Sequence, residues 1–140
     1  MAVMQVEVVS SERSIYSGQA IFIVVPGMEG EIGIYPQHIP LLTRIKPGLL
    51  RLTPPDHQQE ILIAVSGGLL EIQPTLVTIL ADIALRDDEL DEQRAIQAKE
   101  AAERALKKAE NEQTIAVAHA SLAVATAELK ALYYLRHRQH

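Results

Sequence analysis

The sequence predicts an all-β sandwich followed by an antiparallel two-helix hairpin, and three patterns predict it. All seven glycines and all seven prolines lie at or before Pro74, whereas 13 of the 18 alanines lie after Arg86. Gly and Pro punctuate short strands, while alanine-rich sequence without them favours helix. Turn signals recur at roughly 8–12-residue intervals through the first part, and Val/Ile/Leu-rich strands spaced that way need a second layer to cover them. The chain therefore divides into a β-sandwich over 1–86 and a helical hairpin over 87–140.

In chain order, Val3–Ser10 alternates and is β-branched, and Ala20–Val25 is a nearly continuous apolar run. Leu49–Leu52, Glu60–Val65, Leu69–Ile72 and Leu76–Ala81 complete the series of short strands. The turns are Ser17-Gly18, Pro26-Gly27, Pro47-Gly48, Pro54-Pro55-Asp56, Ser66-Gly67-Gly68 and Gln73-Pro74. With one Phe and no Trp, the core must be aliphatic. Between the second and third of these strands, Gly30–Leu42 (GEIGIYPQHIPLL) holds two glycines and two prolines among five Ile and Leu residues. Those breakers exclude a helix interior or a central strand, and the apolar residues exclude a flexible linker, so an ordered loop that presents a surface is expected.

The second part opens on Asp87-Asp88-Glu89, acids suited to a helix N-terminus, and helix one is expected to run to about Ala109. Ala95, Ala98, Ala102, Ala105 and Ala109 draw a stripe of small residues that permits close packing. Glu100/Arg104 and Glu103/Lys107 form a solvated face. The polar run Glu110–Thr114 reverses the chain, and helix two, about Thr114 to Arg136, carries the stripe Ile115, Ala118, Leu122, Ala125, Leu129 and Leu132. No Asp, Glu, Lys or Arg occurs from Thr114 to Thr126, and Val117, Ala120, Val124 and Ala127 carry the apolar surface well round the cylinder. A two-helix unit of this size does not hold a core alone. It must dock on the sandwich, on another protein, or on each in turn.

At 140 residues the chain has room for one domain with an appendage. A formal charge of −5 with interspersed signs leaves no basic face for nucleic acid. Without cysteine there is neither disulfide nor thiolate metal site. No signal peptide or membrane span is expected, because no run of about 18 consecutive apolar residues occurs; membrane association is then only through partners.

No catalytic constellation is present. His38, His57, His119, His137 and His140 are scattered, and no metal site is expected. Gly27, Gly30 and Gly33 lack both the dinucleotide fingerprint and a phosphate-loop Lys, so they read as turn residues. His38 sits between two prolines, where it either bonds its own loop or faces a partner. Glu31 at a tight turn is either a solubilising charge or a contact residue.

Gly30–Leu42, together with IKPG at Ile45–Gly48, SGGLLEIQP at Ser66–Pro74, TILAD at Thr78–Asp82 and LDEQRA at Leu90–Ala95, resembles the epsilon subunit of bacterial F-type ATP synthases. The resemblance implies a ten-stranded sandwich and a two-helix hairpin at the foot of a rotating stalk. It implies a non-catalytic subunit at the cytoplasmic face of the bacterial inner membrane that joins the gamma subunit to the ring of c subunits. Glu31 matches the turn facing the ring, and His38 and Thr43 match the part associated with gamma. The hairpin would fold down on the sandwich, or extend toward the catalytic alpha and beta subunits and inhibit ATP hydrolysis. Two other readings are a purely structural stalk adaptor and an ATP-sensing domain. Asp91 and Arg94 match a motif of nucleotide-binding members, but Val124 and Glu128 lie where those members carry cations and Leu85 where they carry a carboxylate. Weak or no ATP binding, and no other cofactor, is therefore expected. The basic end, Lys130 and Arg136–Arg138, either meets acidic surface on a catalytic subunit or complements its own helix dipole.

Overall fold

The computed structural model describes residues 2–56 and 59–138; His57 and His140 lie outside the described residues. Ten strands precede two helices: β1 (Met4–Val9), β2 (Ser14–Ala20), β3 (Phe22–Gly27), β4 (Gly30–Ile34), β5 (Leu41–Ile45), β6 (Gly48–Thr53), β7 (Ile61–Val65), β8 (Gly68–Ile72), β9 (Leu76–Ala81), β10 (Ala84–Arg86), α1 (Glu92–Lys108) and α2 (Glu112–Arg138). A single turn of 3-10 helix, Asp87–Glu89, joins the two parts.

The strands run β10-β7-β6-β3-β5-β8-β9-β1-β2, with β4 on the free side of β3. Only Gly27↔Ile45 bridges β3 to β5, so the sheet folds over at that point into two layers. All pairings are antiparallel except β1 beside β9. Alternate residues of both layers point inward. Val6, Val8, Ile23, Val25, Leu50, Leu52, Ile63, Leu70, Ile72, Val77 and Ile79 are buried in one aliphatic core. The one phenylalanine sits at its margin, its ring 4.4 Å from that of Tyr35.

β6 and β7 read as continuous apolar runs because both of their faces are covered. Leu50, Leu52, Ile63 and Val65 face the sandwich core. Leu49, Leu62 and Ala64 point the other way and meet Ala127 and Ala131 of α2, with Leu90, Tyr134 and Leu135 packed around them. The hairpin is thus folded down on the outer face of β6–β7.

Four strands are not announced by hydrophobic pattern: β2, β4, β5 and β10. The expectation of a loop over Gly30–Leu42 is corrected, since Gly30–Ile34 is β4, Leu41 opens β5, and only Tyr35–Pro40 is loop. Glycine is tolerated there because β4 pairs with β3 alone, in a five-residue hairpin register from Ile23↔Ile34 to Gly27↔Gly30. The loop between is nevertheless ordered: Gln37, at φ 69°, donates from its backbone to Pro74 O at 2.8 Å.

Helix one also starts later than its acids suggest. Glu89 turns back and accepts the Arg86 backbone N–H at 3.0 Å, while its other oxygen takes Arg13 Nη2 at 2.5 Å. That geometry closes a 3-10 turn, and the α-helix begins after Asp91, whose Oδ1 accepts Arg94 N at 3.1 Å. α2 begins two residues before the expected Thr114, because Asn111 Oδ1 accepts Thr114 N at 2.9 Å and caps it. Ala95, Ala102, Ala118 and Ala125 are buried between the helices, whereas Ala98 and Ala105 of the expected stripe are exposed.

Gly68 is where backbone geometry constrains the sandwich most. It has φ 152°, and a Cβ there would overlap the Leu80 carbonyl oxygen of the neighbouring strand. Gly68→Ala is expected to destabilise the sandwich by about 3 kcal/mol or more, read as a lowered thermal midpoint; an unchanged midpoint would contradict the register of β8 against β9.

Candidate functional site

The five residues singled out from sequence fall into three places. Glu31, at the exposed start of β4, shares a hollow with Met28, Glu29, Gly30, Ile32 and Thr43. His38 lies beyond the other end of β4, where its Nδ1 donates to the Ile39 carbonyl at 2.7 Å. The structure therefore places Thr43 with Glu31 and leaves His38 apart, bonded within its own loop. Asp91 and Arg94 lie together at the hinge, 3.1 Å apart through the helix cap.

The outer face of β5-β8-β9 has no cover. Leu42, Leu69 and Leu80 stand on it at 68%, 42% and 50% exposure, with Arg44 opposite Leu69 and Glu71 opposite Leu42 in the ladder. Tyr35 and Ile39 are exposed in the adjoining loop. Three leucines exposed on adjoining strands exceed the scattered apolar exposure of an ordinary surface and mark a contact face.

The opposite outer face, on β6–β7, is closed by α2. The apolar contact is modest: α2 contributes two buried alanines, each methyl worth about 0.8 kcal/mol, flanked by the half-buried Tyr134 and Leu135. Polar bonds add to it. Tyr134 Oη donates to Glu60 Oε1 at 2.9 Å and accepts from Arg51 Nη1 at 3.2 Å. The Arg51 guanidinium also lies 5.4 Å from the Tyr134 ring centre. The hydrogen bond with Tyr134, helped by the Glu31 and Glu60 charges, holds Arg51 protonated more firmly than usual against the opposing effect of burial. In the N-terminal half of α2, which packs on α1 through Ala118, Ile115 and Val117 stay exposed. Over its most apolar window the helix has a mean hydropathy of 1.4, enough by length and composition alone to cross a membrane.

At the hinge, Arg94 is engaged twice. Its Nη2 donates to the Glu89 carbonyl at 2.6 Å and approaches Glu128 Oε2 of α2 at 3.5 Å. Arg136 of α2 pairs with Glu92 at the start of α1, so this part of the basic end is used inside the hairpin. A triphosphate does not fit this place: the guanidinium is taken, Asp91 caps the helix, and the group opposite is a carboxylate. Among the described residues no cluster of His, Asp and Glu could hold a metal ion.

Sequence reasoning missed Arg51, Glu60 and Tyr134, and noticed Glu128 only as a missing cation. The available signal was slight: Arg51 is the lone charge in the apolar strand β6, and Tyr134 lies 83 residues away from it.

Glu128 is the buried charge of the described residues, at 5% exposure. Burial raises its carboxyl above the ordinary 4.5, and the Arg94 charge and hydrogen bond only partly oppose this. In the undocked hairpin the group would be ordinary, so docking takes up a proton. Docking therefore strengthens as pH falls from above the raised value toward 4.5, and is insensitive at higher pH. Glu89 acts in a separate window: the Arg86 backbone hydrogen bond lowers its carboxyl, so its contribution is lost only as pH falls below 4.5. We expect the docked fraction, measured by the distance between spin labels at Thr75→Cys and Ala120→Cys, to rise from pH 7 to pH 5, and Glu128→Gln to abolish that rise. A rise that persists in Glu128→Gln would place the proton elsewhere.

Comparison with known proteins agrees with this architecture. The family model "ATP synthase, Delta/Epsilon chain, beta-sandwich domain" matches residues 3–87, and "ATP synthase, Delta/Epsilon chain, long alpha-helix domain" matches 88–132. The ATP synthase epsilon chain of Chromobacterium violaceum is 61% identical over 140 residues, covering all of both chains. That of Laribacter hongkongensis is 58% identical over the same span, and that of Neisseria gonorrhoeae 54% over 136 residues, 97% of each chain. The fold recurs in a chain from the Euglena gracilis mitochondrial ATP synthase (OSCP/F1/c-ring), with TM-score 0.76, 21% identity and coverage of 94% of this chain and 82% of that one. It recurs in the central stalk/c-ring structure of the Tetrahymena thermophila enzyme, with TM-score 0.61, 13% identity and coverage of 91% and 95%. Matched over nearly its whole length by both domain models and by relatives more than half identical, the chain belongs to the epsilon chain family of ATP synthases.

Proposed function

We propose that the chain is a non-catalytic rotor subunit that joins the gamma subunit to the c ring and restrains ATP hydrolysis through its helical hairpin. It would sit peripherally at the cytoplasmic face of the bacterial inner membrane, held there through its partners. The observation that carries this reading is the form of the hairpin's dock. α2 rests on the sandwich through two alanine methyls, the half-buried Tyr134 and Leu135 and a few polar bonds, and leaves Ile115 and Val117 uncovered. An element held this lightly can exchange one partner surface for another within a few kcal/mol.

The sandwich supplies two further surfaces for this role. The uncovered leucine face of β5-β8-β9, with Tyr35 and Ile39 beside it, suits an apolar partner such as the gamma stalk, with His38 at its margin. The Glu31 turn suits polar loops of the ring, and the hollow that Thr43 shares with Glu31 supports a role for Thr43 at that end. Asp91 and Arg94 serve the hinge in this reading, and the catalytic alpha and beta subunits would be met by α2 when it is extended.

Removing residues 87–140 is expected to leave a sandwich that still assembles with gamma and no longer restrains hydrolysis, measured as ATPase activity of the reconstituted complex. Equal inhibition by the truncated and the full chain would refute the hairpin mechanism. Joining Pro47→Cys to Ala123→Cys, residues that line one hollow between sandwich and α2, with a short bis-maleimide should likewise relieve inhibition; retained regulation would favour a permanently docked adaptor. Calorimetry of the isolated chain with millimolar ATP is expected to show no saturable heat, and a saturable isotherm would overturn the account of Arg94 and Glu128.

A further inference from the structure

One side chain touches both the hairpin dock and the Glu31 turn. Arg51 of β6 donates from Nη1 to Tyr134 Oη at 3.2 Å, and from Nη2 it reaches Glu31 Oε1 at 3.5 Å. Tyr134 belongs to the last turns of α2, and its own hydroxyl donates to Glu60 Oε1 at 2.9 Å. The Arg51 side chain is 25% exposed, and that of Glu31 61%. One nitrogen of the fork is thus committed to the docked helix, and the other to a carboxylate that a partner can reach. Glu29 is exposed on the same turn, so the surface offered there carries two carboxylates and suits a partner presenting Lys or Arg.

We propose that Arg51 couples occupancy of the Glu31 turn to release of α2. This rests on the reading that the hairpin leaves the sandwich, and adds where its hold is loosened. The guanidinium is a rigid fork on a stem with many rotamers. Anchoring one arm at Glu31 removes much of the freedom that its bond to Tyr134 would otherwise have to restrict. A cation on the partner that takes over the Glu31 carboxylate frees that arm, and the bond to Tyr134 weakens. Coupling is reciprocal, so a docked hairpin weakens engagement of the Glu31 turn by the same factor. An exposed pair at this distance supports a factor of about two to five.

The full chain has no cysteine, which permits a direct test. Ala64→Cys places the only thiol on β7, buried beneath α2, so its reaction rate with a thiol reagent reports hairpin opening. Glu31→Gln is expected to raise that rate about two- to fivefold, the range of an exposed ion pair, and Glu31→Lys, which puts a cation where the partner's would sit, to raise it further. In a Tyr134→Leu background, itself faster than the parent and lacking both the hydroxyl and the ring that Arg51 meets, both Glu31 changes should have no effect. No change on Glu31→Gln, or the same change in both backgrounds, would overturn the coupling. That result together with loss of inhibition on truncation at Arg86 would leave the hairpin reading intact, whereas inhibition by the truncated chain would remove that reading whatever Arg51 does.

Discussion

The two-sided burial of β6 and β7 is the constraint on which the rest of the molecule depends. Their inward residues close the sandwich core, and their outward residues, Leu49, Leu62 and Ala64, are apolar and need a cover. Leaving that strip wet would cost the transfer free energy of two leucines, several kcal/mol in total. The hairpin meets the need from within the chain, and the hinge at Glu89 sets how it arrives. Through Arg13, the Arg86 backbone and Arg94, that one residue ties the β1–β2 turn, the end of β10 and helix one together.

The two apolar outer faces differ in what covers them. β6–β7 is covered by α2, while β5-β8-β9 keeps Leu42, Leu69 and Leu80 exposed. A sandwich with one face closed by its own appendage and the other open is suited to a fixed attachment and a removable one. Among the described residues the open face has no internal competitor for a partner. On the closed face, a partner that took α2 would have to repay the burial of Leu49 and Leu62 that the sandwich now provides.

Much of the fold was legible in the sequence, and the failures share a cause. The break at Arg86 shows because Gly, Pro and Ala segregate. β1, β3, β6, β7, β8 and β9 show because buried apolar runs leave a local trace. β4 does not, since Gly30, Glu31 and Gly33 are ordinary edge and turn residues that only pairing with β3 turns into strand. The 3-10 turn at Asp87–Glu89 was hidden for the opposite reason: its acids make a credible helix start, and Glu89 is instead held by the Arg86 backbone and by Arg13, 76 residues away. The site was less legible still. Glu31 could be named from its turn, but Arg51, Glu60 and Tyr134 acquire meaning only through contacts spanning 74 to 83 residues.

Those distant polar contacts also answer a problem that alanine packing creates. An alanine stripe on a leucine strip is nearly the same after a shift of one helical turn, about 5.4 Å, so apolar burial by itself leaves the register of α2 poorly defined. Glu128 and Tyr134 lie six residues apart, about 9 Å along the helix, and each meets a partner on a different element, Arg94 at the hinge and Arg51 with Glu60 on the sandwich. A slip of one turn would leave a buried carboxylate without its guanidinium and a tyrosine hydroxyl without either bond, which costs more than the alanine contacts return. Glu128 weakens the dock in energy, as its raised carboxyl shows. What it supplies is position: two polar contacts about nine ångströms apart define one seat for the helix on the sandwich.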